Sequence, residues 1–298
     1  MSKYLAILFL LIPLLSQCMG MGLKLDPYNA HKIEEKASIL YHQGQYQKAL
    51  KYFEQAHYIR EKIYGGQHRA AARGYNTLGI IHISLKHYNT AIKYFEKAIT
   101  INKKVLGQKH PALAINFLNL GSAYEYKGKF PEALSLYHKA LALSLPALGK
   151  NHPDVASIYN NIGRTYFTQN KPLRAINSLL LAYKIRNKEL GPLNKLTIET
   201  CRALADSFKA IKNYKKALKY YLIALKANQT EEGFRHVSTA FIYIDVAVVY
   251  YKMKKYKKAR IYALKAQDSI ELFMGKKHNY ASFIREFLKK IKNKSNKS

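Results

Sequence analysis

The sequence lacks tryptophan and has only two cysteines, Cys18 and Cys201, among its 298 residues. Two cysteines exclude a disulfide-rich scaffold and any metal site built from four cysteines. Acidic residues are also scarce, because 18 Asp and Glu stand against 50 Lys and Arg, for a formal net charge of +32. The hydrophobic fraction of 48% is nevertheless ordinary for a globular protein. It excludes intrinsic disorder, which requires low hydrophobicity as well as high net charge.

Motifs of catalysis are absent as well. The chain contains no His-Glu-x-x-His, no Cys-x-x-Cys, no Gly-x-Ser-x-Gly and no phosphate-binding Gly-x-x-x-x-Gly-Lys-Ser/Thr. We therefore expect no enzymatic activity, no cofactor, no bound metal and no small-molecule substrate.

The N-terminal segment has the pattern of an export signal. Lys3 precedes an apolar run over residues 5–15, which is too short to span about 30 Å of hydrocarbon as a helix. The following Leu-Ser-Gln-Cys resembles a bacterial lipobox, although Gln17 departs from that pattern. Residues 1–20 are therefore predicted to be a lipoprotein signal with lipidation at Cys18, a signal peptide cleaved near Gly20, or an uncleaved anchor. Each alternative exports the chain, as a periplasmic, membrane-anchored or secreted protein.

One motif recurs through the rest of the chain with a fixed period of 42 residues. Gly-x-x-His begins at residues 65, 107, 149, 233 and 275, and Gly191 with Asn194 fills the remaining place. The same shift aligns two alanine columns, which hold Ala49, Ala91, Ala133, Ala175, Ala217 and Ala259, and Ala56, Ala98, Ala140, Ala182, Ala224 and Ala266. A third column, the small-residue column, holds Ala37, Gly79, Gly121, Gly163, Ala205 and Ala247. Small side chains at fixed sites allow helices to approach closely.

The apolar residues within each unit follow helical spacing. Between Ala133 and Ala140 they occur at i, i+3, i+4 and i+7, which predicts an amphipathic helix. Proline and glycine then mark the ends of the helices in this third unit. They predict one helix from Pro111 to near Gly128, and a second from near residue 131 to residue 149. Each unit is thus predicted to be a pair of helices, helix A followed by helix B.

Several motifs together indicate a family. They are the Asn-Asn-Ile-Gly run 160–163 with Tyr166, Ala175, Ala182, Leu190 and Gly191, and the Leu-Gly-x-x-His-Pro junctions 106–111 and 148–153. This set resembles the tetratricopeptide repeat family, and more closely its 42-residue form in the kinesin light chain. The resemblance covers residues 27–278 as six repeats. It implies an all-α fold, a right-handed superhelical solenoid of six helix pairs, with residues 279–293 as a capping helix and 294–298 as a basic tail.

Five of the eleven histidines lie in the junctions between repeats, which invites a metal or acid–base array. Matching positions in stacked repeats are on the order of 10 Å apart, too far to share one ion at bond lengths of about 2 Å. We therefore expect these histidines to have a structural role in the turn. Cys201 shares its column with Tyr75, Phe117, Tyr159 and Tyr243, an interior site on helix A, so we expect a buried, inert thiol.

The resemblance implies that helix A of each repeat lines a concave groove. The groove positions lie three residues before, one after and four after the small-residue column. In the family, asparagine at the first position binds the backbone of an extended peptide. The predicted peptide-binding residues are Asn76, Asn160, Arg164, Phe167, Arg202 and Lys209. Their mostly polar and basic character predicts an acidic or carboxylate-bearing peptide, with Phe167 as an apolar contact.

Positive charge is concentrated toward the C-terminus. Residues 252–265 carry seven basic side chains and no acid, and residues 276–298 carry eight against Glu286. Either the charge is compositional bias, or this C-terminal third binds an anionic surface such as lipid or lipopolysaccharide. Export argues against nucleic acid as the partner. The sequence thus predicts a non-enzymatic scaffold that binds a protein or peptide, with an envelope-associated binder of anionic surfaces as the alternative.

Overall fold

The computed structural model describes residues 24–233 and 236–296, and every regular element within these ranges is an α-helix. The thirteen helices are α1 (Pro27–His42), α2 (Tyr46–Tyr64), α3 (Arg69–Ser84), α4 (Tyr88–Leu106), α5 (Leu113–Tyr126), α6 (Phe130–Leu148), α7 (Pro153–Thr168), α8 (Pro172–Glu189), α9 (Lys195–Ala210), α10 (Tyr214–Glu231), α11 (Val237–Lys252), α12 (Tyr256–Met274) and α13 (Asn279–Ser295). The predicted signal in residues 1–20, including Cys18, lies outside the described residues.

The helices form consecutive pairs, which confirms the all-α, tetratricopeptide-type solenoid predicted from the sequence. All twelve alanines of the two alanine columns are buried, with exposed fractions of 1% or less. Because these positions recur every 42 residues on the inner faces of the helices, the same packing is repeated in each pair.

Close packing between helix A and helix B explains why three members of the small-residue column are glycine. A Cβ on Gly79 would lie 2.5 Å from the ring of Phe95, and one on Gly163 would lie 2.6 Å from Cγ of Leu179. Helix B therefore places a large side chain against the bare backbone of helix A. The other three members of the column are alanine, and the matching positions on helix B hold Phe53, Tyr221 and Ala263.

The junction histidines cap the following helices. Nδ1 of His68 accepts a hydrogen bond from the backbone N–H of Ala70 at 3.1 Å, two residues further on. The same bond recurs at His110, His152, His236 and His278, with distances of 3.1 to 3.2 Å. Where the fourth junction lacks the histidine, Oδ1 of Asn194 accepts from the N–H of Leu196 at 2.9 Å. The predicted structural role of the junction histidines is thus confirmed. It is capping of helix A, except that the bond of His110 lies in the turn just before α5.

One predicted helix start is wrong by two residues. Helix α5 begins at Leu113 and not at Pro111. The N–H of Leu113 bonds the carbonyl of His110, and the N–H of Ala114 bonds that of Pro111. These three-residue hydrogen bonds make the first turn tighter than an α-helix.

The described helices belong to two compact units, Met1–Leu143 (unit 1) and Ser144–Ser298 (unit 2). In unit 2 the core runs through α8 to α13 and includes Cys201, whose side chain is fully buried. Burial raises the pKa of the Cys201 thiol to about 12, which confirms the predicted inert cysteine. Among the helices of the described ranges, we find none with the length and apolarity needed to cross a membrane.

Candidate functional site

The groove positions lie on helix A of each repeat. Of the predicted peptide-binding residues, Asn76 is on α3 in unit 1. The other five are in unit 2, where α7 carries Asn160, Arg164 and Phe167 and α9 carries Arg202 and Lys209. The site is therefore described separately for the two units.

Helix α7 presents a cation and an aromatic ring to solvent. Arg164 is exposed, and Phe167, one turn further along the helix, is 39% exposed. Asn160, one turn before Arg164, is buried, and its Oδ1 accepts a hydrogen bond from the Thr200 hydroxyl at 3.2 Å. Arg164 and Phe167 are thus available to a partner, whereas Asn160 also belongs to the packing between α7 and α9.

The two predicted cations of α9 have acidic partners inside unit 2. Nζ of Lys209 lies 2.7 Å from Asp206 and 3.5 Å from Asp245, and the Arg202 guanidinium lies 3.6 Å from Asp245. Two positive and two negative groups therefore balance, and the groove side of α9 carries much less net charge than the prediction assumed.

A tyrosine from helix B completes this cluster. The Tyr221 hydroxyl donates a hydrogen bond to Asp206 and accepts one from Lys209 at 2.7 Å. Burial, with the charges of Asp245 and Asp206, raises the pKa of Tyr221 far above its ordinary value, so the phenol remains a donor. Burial also raises the pKa of Asp245, against the opposing charges of Lys209 and Arg202.

Unit 1 has a matching arrangement two repeats earlier. The Tyr137 hydroxyl donates to Glu125 at 2.7 Å and contacts Ser122 at 3.3 Å, and both partners occupy groove positions of α5. Asn76 takes part in an asparagine network, because its Oδ1 accepts from Asn116 at 3.2 Å and from Asn119 at 3.0 Å. The carbonyl of this predicted peptide-binding side chain is therefore already used within unit 1.

Beneath the exposed face of α7 lies a buried arginine without a carboxylate partner. Arg186, on α8, is 3% exposed and donates to the Thr200 hydroxyl at 2.7 Å, the Leu196 carbonyl at 3.0 Å and the Ser157 hydroxyl at 3.2 Å. Its Nε has no hydrogen-bond partner in the described part of the chain. Burial lowers the pKa of Arg186. The charge of Glu199 opposes this shift, and the charge of Arg164 adds to it.

In the first repeat, the arginine that corresponds to Arg186 has a carboxylate partner. There Arg60 and Arg73 both bond Glu34, the latter at 2.9 Å. Although burial opposes it, the hydrogen bond and charge of Arg60, with those of Arg73, hold the pKa of Glu34 below its ordinary value. Three periods later, Arg186 corresponds to Arg60 and Asn160 to Glu34, so the fourth repeat has a neutral amide where the first has a carboxylate.

Asp245 and Arg186 were not identified from the sequence as part of the site. Asp245 lies outside the groove positions, and only its ion pair with Lys209 in the structure shows that it belongs to this cluster. Arg186 could have been found by comparing the first and fourth repeats at a shift of 126 residues. In the described ranges, His, Cys, Asp and Glu side chains form no group of three or more suited to a metal ion.

A tetratricopeptide repeat family model matches the chain four times, over residues 29–104, 88–144, 111–188 and 189–271. These matches overlap or adjoin, and together they span most of the chain. Comparison with the curated proteins gives no significant match.

Solved structures with tetratricopeptide-type repeats resemble the chain. BtubC (BKLC) from P. vanneervenii has a TM-score of 0.64 at 17% identity, over 87% of this chain and 95% of its own. The STAND ATPase PH0952 from Pyrococcus horikoshii, with a tetratricopeptide repeat sensor, has a TM-score of 0.72 at 21% identity. The match covers 97% of this chain and 42% of the ATPase. The TPR-like repeats of a candidate kinesin light chain from Podospora anserina have a TM-score of 0.57 at 20% identity. The match covers 70% of this chain and 98% of the other. At these identities the likeness concerns the fold.

Proposed function

This chain belongs to the tetratricopeptide repeat family, and from that premise we propose that it is a non-enzymatic scaffold that binds an acidic segment of a protein partner in unit 2. The exposed face of α7 provides the contact. There Arg164 supplies a positive charge and Phe167 an apolar surface, one turn apart on one helix.

The observation that carries this proposal is the difference between α7 and α9. On α9 the predicted cations are neutralised by Asp206 and Asp245, whereas no acidic side chain within the described ranges forms an ion pair with Arg164. Arg186, which is buried on α8 and hydrogen-bonded only to hydroxyl and carbonyl groups, adds a second positive charge that the charge of Glu199 opposes in part. An acidic group from a partner would relieve both charges.

The test uses a displayed random-peptide library panned against the full chain. We expect enrichment of peptides that carry Asp or Glu next to an apolar residue, and loss of that enrichment in Arg164→Ala and in Phe167→Ala. Asn160→Ala is avoided, because Asn160 also holds Thr200 and its loss would weaken the fold. Selection of peptides without acidic residues would contradict the proposal.

The matched control is Lys184→Ala. Lys184 is an exposed cation on helix B of the same repeat, so its removal changes the net charge equally without touching the face of α7. If Lys184→Ala lowers peptide capture as much as Arg164→Ala does, the binding is non-specific attraction by the net charge.

We also propose that the chain is exported, on the pattern of residues 1–20, and that Cys18 carries a lipid. Fractionation of cells that express the wild type and Cys18→Ala tests both parts. We expect membrane association of the wild type and release of the variant into the soluble envelope fraction. Recovery of both proteins in the cytosol would contradict export.

A further inference from the structure

A second surface of unit 2 carries a row of positive charge. It lies at the inner turns, the short turns between helix A and helix B of one repeat. The inner-turn segments of unit 2 are residues 168–174, 210–216 and 252–258, and those of unit 1 are residues 42–48, 84–90 and 126–132. The segments of unit 2 contain ten Lys and Arg and no acid, all exposed, with two, three and five in successive repeats. Those of unit 1 contain four basic residues and one acid.

One cation in each repeat of unit 2 is held in place by an aromatic ring. The basic residue in the first turn of helix B lies over a ring on helix A of the same repeat. The pairs are Arg174 over Tyr166 at 5.8 Å, Lys216 over Phe208 at 5.3 Å and Lys258 over Tyr250 at 5.8 Å. Unit 1 has Lys48, Thr90 and Glu132 at the matching places, so this regular row is confined to unit 2.

The last helix extends the same row. Helix α13 runs antiparallel to α12 and returns toward the inner turns, where the ring of Phe287 lies 5.4 Å from that of Tyr251. Its final turns then bring the exposed Lys292 and Lys294 to this end of unit 2. Lys276 and Lys277 lie at the opposite end, in the junction before α13. The basic C-terminal region of the sequence is therefore divided between two ends of the helices.

We propose that this surface, the lysine edge, docks on an anionic phospholipid bilayer. The lysine edge comprises the three inner-turn segments of unit 2 and the end of α13. Nine of the ten inner-turn cations are lysine, a hydrated point charge that suits diffuse attraction to a charged surface better than bidentate recognition of one phosphate. Leu173, 66% exposed within the same row, adds an apolar contact.

Nucleic acid fits this surface less well. Single strands are bound by stacking bases on free aromatic faces. The rings of Tyr166, Phe208 and Tyr250 already have a cation over one face, so they are not open platforms. A bilayer requires only a row of exposed cations, about 10 Å apart from one repeat to the next, and the edge provides that.

The test measures binding of the full chain to vesicles of phosphatidylcholine with and without phosphatidylglycerol. In the edge variant, Lys215→Gln, Lys255→Gln and Lys257→Gln are combined. These side chains are exposed, make no cap bond and lie over no ring, so the fold is retained. Each cation near an anionic surface contributes roughly fivefold to partitioning. We therefore expect binding to anionic vesicles to weaken on the order of 100-fold, and wild-type binding to fall with added salt.

The matched control combines Lys150→Gln, Lys195→Gln and Lys277→Gln, three exposed lysines at the junction end of unit 2. Both variants keep residues 1–20 and have the same net charge, so neutral vesicles measure any contribution of the apolar N-terminal run. The control should bind anionic vesicles within a few-fold of the wild type. Equal loss in the two variants, unchanged binding in the edge variant, or tighter edge-dependent binding to a DNA oligonucleotide than to the vesicles would overturn the proposal.

This proposal does not depend on the peptide function of α7. Arg164→Ala should bind anionic vesicles as the wild type does, and the edge variant should still select acidic peptides. Loss of vesicle binding in Arg164→Ala would show that attraction is spread over unit 2, and it would overturn the assignment to the lysine edge.

Discussion

At the scale of single residues, each repeat depends on pairs in which a small residue on one helix leaves room for a large side chain from another helix. Gly163 is bare because Leu179 fills the space where its Cβ would be, and Gly74 is bare because the ring of His57 lies against it. Each pair spans two helices, so the residue required at one position depends on the residue at the other. Packing at this closeness leaves no room even for a methyl group.

We expect Gly163→Ala to destabilise the protein by about 1–3 kcal/mol through overpacking, although alanine favours a helix over glycine by about 1 kcal/mol. The new Cβ would meet Leu179 at 2.6 Å and the carbonyl of Ala175 at 3.1 Å. Chemical denaturation of a double-mutant cycle with Leu179→Ala measures the coupling. Most of the cost of Gly163→Ala should be absent in the Leu179→Ala background, because Leu179 provides the nearest contacts of the new Cβ. Additive costs would contradict this explanation.

A buried histidine makes the stability of unit 1 depend on pH. Burial lowers the pKa of His57, against the opposing charge of Glu61, whose Oε1 lies 3.6 Å from Nε2. The folded state thus takes up the proton at lower pH than the unfolded chain. Stability is therefore lost as the pH falls below the ordinary histidine value of about 6.5.

We expect His57→Leu to lose less stability than the wild type between about pH 7.5 and pH 5, since leucine occupies this position in the third and fifth repeats. Urea denaturation at the two pH values measures the difference. Equal losses in the two proteins would show that His57 is not responsible.

At the scale of helices, the junctions set where helix A of the following repeat begins, although α5 starts two residues later than this pattern predicts. A histidine or asparagine side chain accepts the orphan N–H group two residues later, and glycine before it has a positive φ that ends the preceding helix B. The 42-residue motif recognised in the sequence is thus a stop signal followed by a start signal.

We expect Asn194→Ala to cost about 1 kcal/mol, because the N–H of Leu196 loses its acceptor. The control comes from the chain itself, since Asn194→His restores the residue used at the other five junctions. It should recover most of the loss in a denaturation experiment. If histidine is no better than alanine at this position, the capping role of the junction side chain is wrong.

At the scale of the whole molecule, the two units share one repeat but carry different surfaces. Unit 1 uses asparagine networks and ion pairs around Glu34, whereas unit 2 has an open cation on α7 and the lysine edge. The net charge of +32 is therefore not spread evenly. The division matters for function because both proposed binding surfaces lie in unit 2.

The rate at which a thiol reagent labels Cys201 measures how readily the core of unit 2 opens. Its thiol is fully buried and burial raises its pKa to about 12, so a thiol reagent reaches it only when the core opens. In a Cys18→Ser background, we expect labelling in native buffer to be slower than in concentrated urea by about two orders of magnitude or more. Similar rates in both conditions would contradict the packing described for α9.

The amino-acid sequence is sufficient to define the repeat: its period, the helix pairs, the alanine core, the junction histidines and the buried cysteine. These features follow from local spacing that recurs, so each repeat supports the interpretation of the others. The electrostatics, by contrast, follow from the tertiary structure. It paired Arg202 and Lys209 with Asp206 and Asp245, left Arg186 without a carboxylate, and brought lysines from separate repeats into one edge. Charges interact through space across neighbouring repeats, and a column of aligned residues does not contain those distances.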